Sequence, residues 1–594
     1  MGGFGYHYKK QEKGAVVVVS IIFLVTVVVA LSVGITMGFK SIAKQEKETK
    51  NITAKKAIAA VCEPTEYKEK CIQRLEFHAG NTSDPEELIR VVFKIAMKQI
   101  RKAGNVTVTL KEIEKDPRTN NTLQGCKELL HKSIRELKRS YKLLGESHIK
   151  DQKYLLEDLM TWLSATITYQ ETCLDGFDEK TTNSTAKKMR ETLDNSMELT
   201  RDAIAMVSKV TQVIEFLKSD SNVLLLGHGS RRLLEVEEKQ NNSWLEHTGN
   251  RSTHLEALDV DKLKPNFVVA KDGSGRFTTI NDALIRVPRA HHKPTVIYIK
   301  EGIYNEIVHV SPDMTHLVLI GDGANKTRIT GSLNYVDGTP TWKTATFAVS
   351  AAVFTAKNIG FENFAGPTKH QAVALRVDAD MSIFYNCTMD GYQDTLYVHA
   401  KRQFYRDCNI SGTIDFVFGD GSAVFQNCNF IIRKPLDKQN CIVTAQGRNY
   451  SYQPTATVIQ NSTITADPGF LSVNGQHKAY LGRPWREYSR TIIMESFIDG
   501  VIDPLGWLPW DGEKGINTCF YAEFENTGPG ANKTQRVNWK GLKNISREEA
   551  QQFTAGKIIE GDEWITTVTM PYNSGLFTNQ TDDHNNNNNN TTTT

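Results

Sequence analysis

Net charge is almost missing from this chain: 594 residues carry a formal +3 at pH 7. That removes the main reason to expect a nucleic-acid partner, whose phosphates call for a concentrated basic surface. Long apolar runs are scarce as well. One stands out, AVVVVSIIFLVTVVVALSVGITMGF (15–39), 25 residues without a charge. Cysteine is sparse and odd in number, nine in all, so at least one is left unpaired within the chain. The near-zero total conceals an asymmetry. Residues 1–234 hold 37 Lys+Arg against 29 Asp+Glu, and 235–594 hold 34 against 39, so the front is +8 and the back −5. The length argues for two or three domains.

The run at 15–39 can span a bilayer as a helix, and Lys9, Lys10 and Lys13 on its N-terminal flank favour a cytosolic start. A cleaved signal normally has a shorter apolar region and a small-residue cleavage site. Residues 1–46 therefore read as a basic cytosolic stretch and a signal anchor, the only expected contact with a membrane. Either way the remainder enters the secretory pathway. N-x-S/T sequons at Asn51, Asn81, Asn105, Asn183, Asn250, Asn325, Asn532 and Asn544 fit that compartment, and its oxidising lumen suggests disulfides.

From 47 to 218 the pattern is helical. LLHKSIRELKRSYKLL (129–144) and YLLEDLMTWLSATITYQETCL (154–174) place apolar residues three and four apart, and short polar connections argue for a four-helix bundle. Its cysteines fall as Cys62/Cys71 and Cys126/Cys173. The simplest pairing follows that order, although sequence allows three connectivities. Residues 228–254 are polar with little periodicity, which makes 219–260 an expected linker, within which Arg231-Arg232-Leu233-Leu234 looks like a dibasic processing site.

Beyond 261 come many short β-type runs, among them NFVVA, TVIYI, HLVLIG and SIFYNC. A phrase of the form Asn/Asp–small–x–apolar recurs at 358, 386, 407, 427 and 461, at intervals of 28, 21, 20 and 34. NCTMDGYQDTLYV (386–398) and DCNISGTIDFVFG (407–419) superimpose without a gap, aligning Cys387 with Cys408, Gly391 with Gly412 and Asp394 with Asp415. A fixed offset of this size predicts stacked coils, a right-handed parallel β-helix over 261–575. The polar stretch 576–594 reads as a disordered tail.

Stacked coils would set Asp394 and Asp415 side by side, strands lying about 4.8 Å apart. Asp415 sits in Ile-Asp-Phe-Val-Phe-Gly, where an unpaired carboxylate is costly. Arg483, in Leu-Gly-Arg-Pro-Trp, is the candidate partner because guanidinium stays charged and grips a carboxylate with two bonds. The Asp nearer Arg483 should stay ionised while the other holds a proton, splitting the pair into nucleophile and general acid. Gln371 and Gln393, 22 residues apart, are positioned to donate to a developing oxyanion.

The ordered set Gly302-Ile-Tyr-Asn-Glu306, Gln371-Ala-Val-Ala-Leu375, Gln393-Asp-Thr-Leu396, Asp415-Phe-Val-Phe-Gly419 and Leu481-Gly-Arg-Pro-Trp485 resembles plant pectin methylesterase over roughly 260–575. Residues 47–218 resemble the inhibitor domain preceding the enzyme in the family's long forms, their four cysteines matching in order. The resemblance implies Asp415 as nucleophile on a C6 methyl ester of homogalacturonan. It implies Asp394 as proton donor and later base, Gln393 with Gln371 as oxyanion stabilisers, and Arg483 as the residue orienting Asp415. It also implies substrate contacts by Thr341, Gln371, Arg483, Trp485 and Trp507, a Cys408–Cys428 disulfide, and no metal or organic cofactor. Expected partners are a subtilase-type protease at Arg231–Leu234 and proteinaceous pectinesterase inhibitors. The expected path leads from a membrane-anchored precursor to the cell wall. One departure is Pro340, before Thr341, where a small polar residue is expected. Two rivals remain at this point: a polygalacturonate glycosidase or lyase on the same fold, and a helical inhibitor module carrying an inactive β-helix.

Overall fold

In a computed structural model, residues 9–147, 149, 154–177, 184–219, 259, 262–290, 293–473 and 475–577 are described. The Arg231–Leu234 motif and residues 578–594 lie outside them. The leading helices are α1 (Lys9–Cys62), α2 (Lys68–His78), α3 (Pro85–Ile113), α4 (Pro117–Glu146), α5 (Leu155–Asp175) and α6 (Ser184–Ser219). Among the described residues α1 alone is long and apolar enough to cross a membrane. It does not break near residue 46, because KQEKETKNITAKKAIAA (44–60) is rich in strong helix formers and free of Pro and Gly. Helix α4 starts where Asp116 accepts the Thr119 N–H at 2.7 Å, with Pro117 as its first residue. Cys62 bonds Cys71, and Cys126 bonds Cys173.

The chain divides into two compact units, one of 1–91 with 210–236, the other of 92–209 with 237–594. Helices α4 and α5 thus share a unit with the β-domain. The reason is chemical: one face of this helix pair carries charged and hydroxyl side chains that are satisfied on the β-domain, as described below.

The β-domain is built from parallel sheets of 11, 7 and 8 strands among the described residues, with strand order following chain order in each. Seven successive coils each add one strand to all three sheets, which is a parallel β-helix. The seven-stranded sheet bears the site. Its strands are β1 (Val308–Val310), β2 (Phe347–Val349), β3 (Leu375–Val377), β4 (Leu396–Val398), β5 (Val417–Gly419), β6 (Cys441–Gln446) and β7 (Ala479–Gly482). Inside the coils aromatic rings stack from turn to turn, Phe384 on Tyr405 at 5.0 Å and Tyr405 on Phe425 at 4.5 Å.

The recurrent Asn/Asp of the sequence has a conformational cause. Asn358, Asn386, Asp407, Asn427 and Asn461 all have φ between 48° and 60°. This is the left-handed region, which Asn and Asp enter more readily than other side chains. Asn386 donates to the carboxamide oxygen of Asn358 at 2.7 Å, and Asn461 to that of Asn427 at 2.7 Å, so the turns also ladder.

The Cys408–Cys428 disulfide is not formed: both are free, buried thiols, as is Cys387 one coil earlier. Each thiol instead points back to a carbonyl of the preceding coil. Cys387 donates to Ala356 O, Cys408 to Phe384 O and Cys428 to Tyr405 O, at 3.4–3.6 Å.

Candidate active site

Asp394 and Asp415 stand two residues before β4 and β5. The register pairs Leu396 with Val417 and Tyr397 with Phe418, so the 21-residue offset makes the aspartates neighbours on adjacent coils. The Asp394 N–H donates to Ile414 O at 3.0 Å, and both aspartates sit at left-handed φ, 63° and 51°. Gly412 shows why the copies share a glycine: a Cβ there would lie 2.3 Å from that of Phe416.

Both carboxyls are buried, 7% exposed for Asp394 and 4% for Asp415. Arg483 grips Asp415 with two bonds, Nε to Oδ1 at 2.8 Å and a terminal nitrogen to Oδ2 at 2.5 Å. Burial raises both pKa values, but the two environments differ. For Asp394 the negative neighbour Asp415 adds to burial and pushes it well above the ordinary range. For Asp415 the Arg483 ion pair opposes burial, so its rise is smaller. Burial and the like charge of Asp415 thus favour the protonated form of Asp394, while Arg483 favours the charged form of Asp415.

Gln371 and Gln393 lie on consecutive coils, the Ala372 N–H donating to Gln393 O at 3.2 Å. Their carboxamides are half-buried and bond to no other side chain or backbone group among the described residues, which leaves their N–H groups open to a ligand. Thr341 begins a short 3-10 turn that Pro340 precedes with φ −56°, so the unexpected proline fits the turn it starts.

Trp485 is half-buried beside the aspartates, edge-on to Phe418 at 6.0 Å and 6.3 Å from Trp510. Trp507 is not a sugar contact. It is fully buried, donates to Glu523 at 3.1 Å and packs on Tyr521 at 4.4 Å. The tryptophan that faces the site is Trp510, over which the Arg483 guanidinium lies at 4.2 Å. Tyr397 and Phe418, stacked at 4.2 Å, extend the aromatic floor. Sequence reasoning singled out none of these three. For Tyr397 and Phe418 a signal existed, because aromatic residues matched in the overlay three positions after the aspartates.

Helices α4 and α5 lie over this floor. Thr172 of α5 places its hydroxyl 3.4 Å from the Tyr397 hydroxyl and 2.9 Å from His399 Nε2. Asp175 pairs with Arg486, whose guanidinium covers Trp485 at 5.0 Å. Gly125 of α4 abuts Trp342: a Cβ there would come within 2.7 Å of the indole. Deeper charge pairs fasten the helices beside the cleft: Lys132 with Asp378, Glu136 with Lys401 at 2.7 Å, and Asp158 with Arg402 at 2.7 Å.

Comparison with known proteins agrees with this geometry. Residues 266–562 match the family model Pectinesterase, and 56–206 match Plant invertase/pectin methylesterase inhibitor. "Probable pectinesterase/pectinesterase inhibitor 21" of Arabidopsis thaliana is 44% identical over 97% of this chain and 84% of its own. "Probable pectinesterase/pectinesterase inhibitor 58" of the same plant is 44% identical over 94% of this chain and 98% of its own. The solved pectin methylesterase from carrot covers 53% of this chain and 99% of its own at 47% identity, with a TM-score of 0.53. A coil stack that seats two buried aspartates on adjacent coils, one of them held by an arginine, joined to an inhibitor-type helical region, places the chain in the pectinesterase family.

Proposed function

We propose that this chain demethylesterifies homogalacturonan in the plant cell wall, releasing methanol and leaving pectate. The unequal pair Asp394/Asp415 carries the reading. The ionised Asp415, aimed by Arg483, attacks the C6 ester carbonyl. The oxyanion forms between the N–H groups of Gln393 and Gln371. As the C–O bond to the methoxy group breaks, Asp394 gives its proton to departing methanol, leaving a mixed anhydride on Asp415. Asp394, now a carboxylate, takes one proton from water as that water attacks the anhydride at C6; this frees the C6 carboxylic acid, which loses its proton to solvent, and restores both aspartates. The floor formed by Tyr397, Phe418, Trp485 and Trp510 stacks on sugar faces. No step calls for a metal or organic cofactor. The chain incubated with methylated pectin releases methanol while polymer length stays constant. New uronic reducing ends or unsaturated products would identify a glycosidase or lyase instead.

The two tryptophans of Gly-Trp-Leu-Pro-Trp (506–510) separate cleanly. Trp510→Ala raises KM for pectin about tenfold with little change in melting temperature. Trp507→Ala costs about 3–5 kcal/mol, as expected for a large core residue, and appears as a lowered melting temperature. An interchange of these effects would reverse the assignment.

The helices α4 and α5 restrain the enzyme until the chain is cut after Leu234 by a subtilase-type protease. Until then the N-terminal apolar helix serves as signal or anchor in the secretory pathway. The support is their position on Trp342, Tyr397 and Arg486. Docking is tied to pH through two buried carboxyls. Glu171 of α5 faces Arg486, Asn449, Asp175 and Asp420, and burial pushes it from 4.5 up to about 7. Asp420 faces Thr168, Thr455, Gln453 and Arg448 and is pushed from 3.8 up to about 6, again by burial. Each binds its proton more tightly when docked, so the stabilisation is complete below the ordinary value and drains away as pH rises through 6 to 7. Lys132, pushed down to about 8 by burial, titrates above that window. The protection of α5 amides, expressed relative to the intrinsic base-catalysed exchange rate at each pH, falls from pH 5 to pH 8; an unchanged protection factor would contradict the coupling.

A further inference from the structure

Charge on the helical region is sorted by face. Helix α4 has three acids, and two of them are used at the β-domain: Glu128 pairs with Lys343 and Glu136 with Lys401. The third, Glu146, lies at the helix end, 3.6 Å from Lys142. Lys127, Arg135 and Lys138 are exposed and carry no ion pair among the described residues. With the exposed His131 between them they recur every three or four residues, which is one stripe of a helix. The acids of α4 thus face the β-domain, while its unpaired bases face solvent.

Helix α3 adds a second row. Between Lys94 and Lys111 it has no acid, and Lys94, Lys98 and Arg101 are exposed at spacings of four and three. The two helices run antiparallel and in contact: the Lys94 ammonium lies 5.1 Å from the centroid of the Tyr141 ring, and Lys111 donates to Gln124 at 2.6 Å. Lys98 and Arg101 therefore lie level with Lys138 and Arg135, in rows about 8–10 Å apart. All these residues belong to one compact unit. Helix α6 is different. Its exposed Lys187, Lys188 and Arg190 are followed within a turn by exposed Glu191 and Asp194, Lys188 lying 4.0 Å from Glu191.

Two rows of like charge repel one another and are relieved by an extended polyanion laid along them. On the topology proposed above, these helices stand on the side of the membrane away from the cytosol, whereas the strongly anionic leaflet is the cytosolic one. The complementary polymer on their side is demethylated homogalacturonan, which carries one carboxylate per sugar; a methyl ester carries none. We propose that the solvent faces of α3 and α4 form a docking surface for de-esterified homogalacturonan, on the side of α4 turned away from the β-domain. This rests on the pectinesterase reading, which supplies the polymer. The surface holds the uncleaved chain, and afterwards the severed helical region, on stretches of wall already demethylated.

The test titrates the uncleaved chain with ready-made polygalacturonate, so that binding is read without turnover. Lys98→Glu with Arg101→Glu, and separately Arg135→Glu with Lys138→Glu, each weaken binding about tenfold and flatten its dependence on salt. Lys187→Glu with Lys188→Glu on α6 makes the same change in net charge and leaves the affinity within about twofold. Melting temperatures stay level in all three, because the substituted side chains are exposed. An affinity unchanged in both the α3 and the α4 variant would overturn the surface, and so would an equal loss in the α6 variant, which would reduce the effect to net charge. Tighter binding to phosphatidylserine vesicles than to polygalacturonate would overturn it as well and identify a lipid surface. Failure of the parent reading looks different: a cut chain that released no methanol from pectin would remove the esterase activity, while the titration would still report on α3 and α4.

Discussion

Asp415→Ala abolishes methanol release, lowering kcat by at least about 10⁴-fold, the scale on which removal of a covalent nucleophile is felt. The same change leaves Arg483 without its two-bonded partner. Arg483 is 21% exposed on its side chain, so water partly compensates the lost ion pair and the coils stay folded. Asp415→Asn keeps the volume and still accepts from Arg483, but it presents a poor nucleophile; it separates chemistry from stability. Asp394→Asn loses both the proton donor and the later base, for about 10²–10⁴-fold. The measurement is methanol release alongside circular dichroism. An active, folded Asp415→Ala enzyme would remove Asp415 from its role.

Cutting the chain between its helical and β-domain parts raises activity at least tenfold. A variant within α4 reproduces this without a cut. Gly125→Leu drives a side chain into the Trp342 indole, where even a Cβ would sit at 2.7 Å, so α4 cannot keep its seat. Gly125 touches no catalytic group, which confines the change to docking. The uncleaved Gly125→Leu chain should approach the activity of the cleaved enzyme, and hydrogen exchange along α4 and α5 should quicken in parallel. Equal activity in uncleaved wild type, uncleaved variant and cleaved enzyme would mean that the helices do not restrain catalysis.

The coil architecture was legible because its period is written in residue types. Asn and Asp mark the left-handed turns, and apolar residues mark the strands between them. The catalytic pair followed from the same period, and Arg483 from the need to neutralise a buried carboxylate. Trp507 misled because sequence cannot say which of two tryptophans three residues apart turns inward; the neighbouring Glu523 and Tyr521, which fix it, come from the next coil. The Cys408–Cys428 bridge was likewise inferred from spacing and resemblance, whereas the thiols turn back toward carbonyls of the preceding coil. The seat of α4 and α5 was less legible still, since its charge pairs join residues more than 200 positions apart.

The ladder of left-handed turns has a mechanical consequence. Asp394 and Asp415 ride on neighbouring turns of one hydrogen-bonded spring, flanked above and below by further turns. Their spacing cannot drift by motion of a loop; it changes only if the spring is sheared. Heating should therefore leave the turnover machinery intact until the coils themselves give way, with thermal inactivation and cooperative melting falling at one temperature.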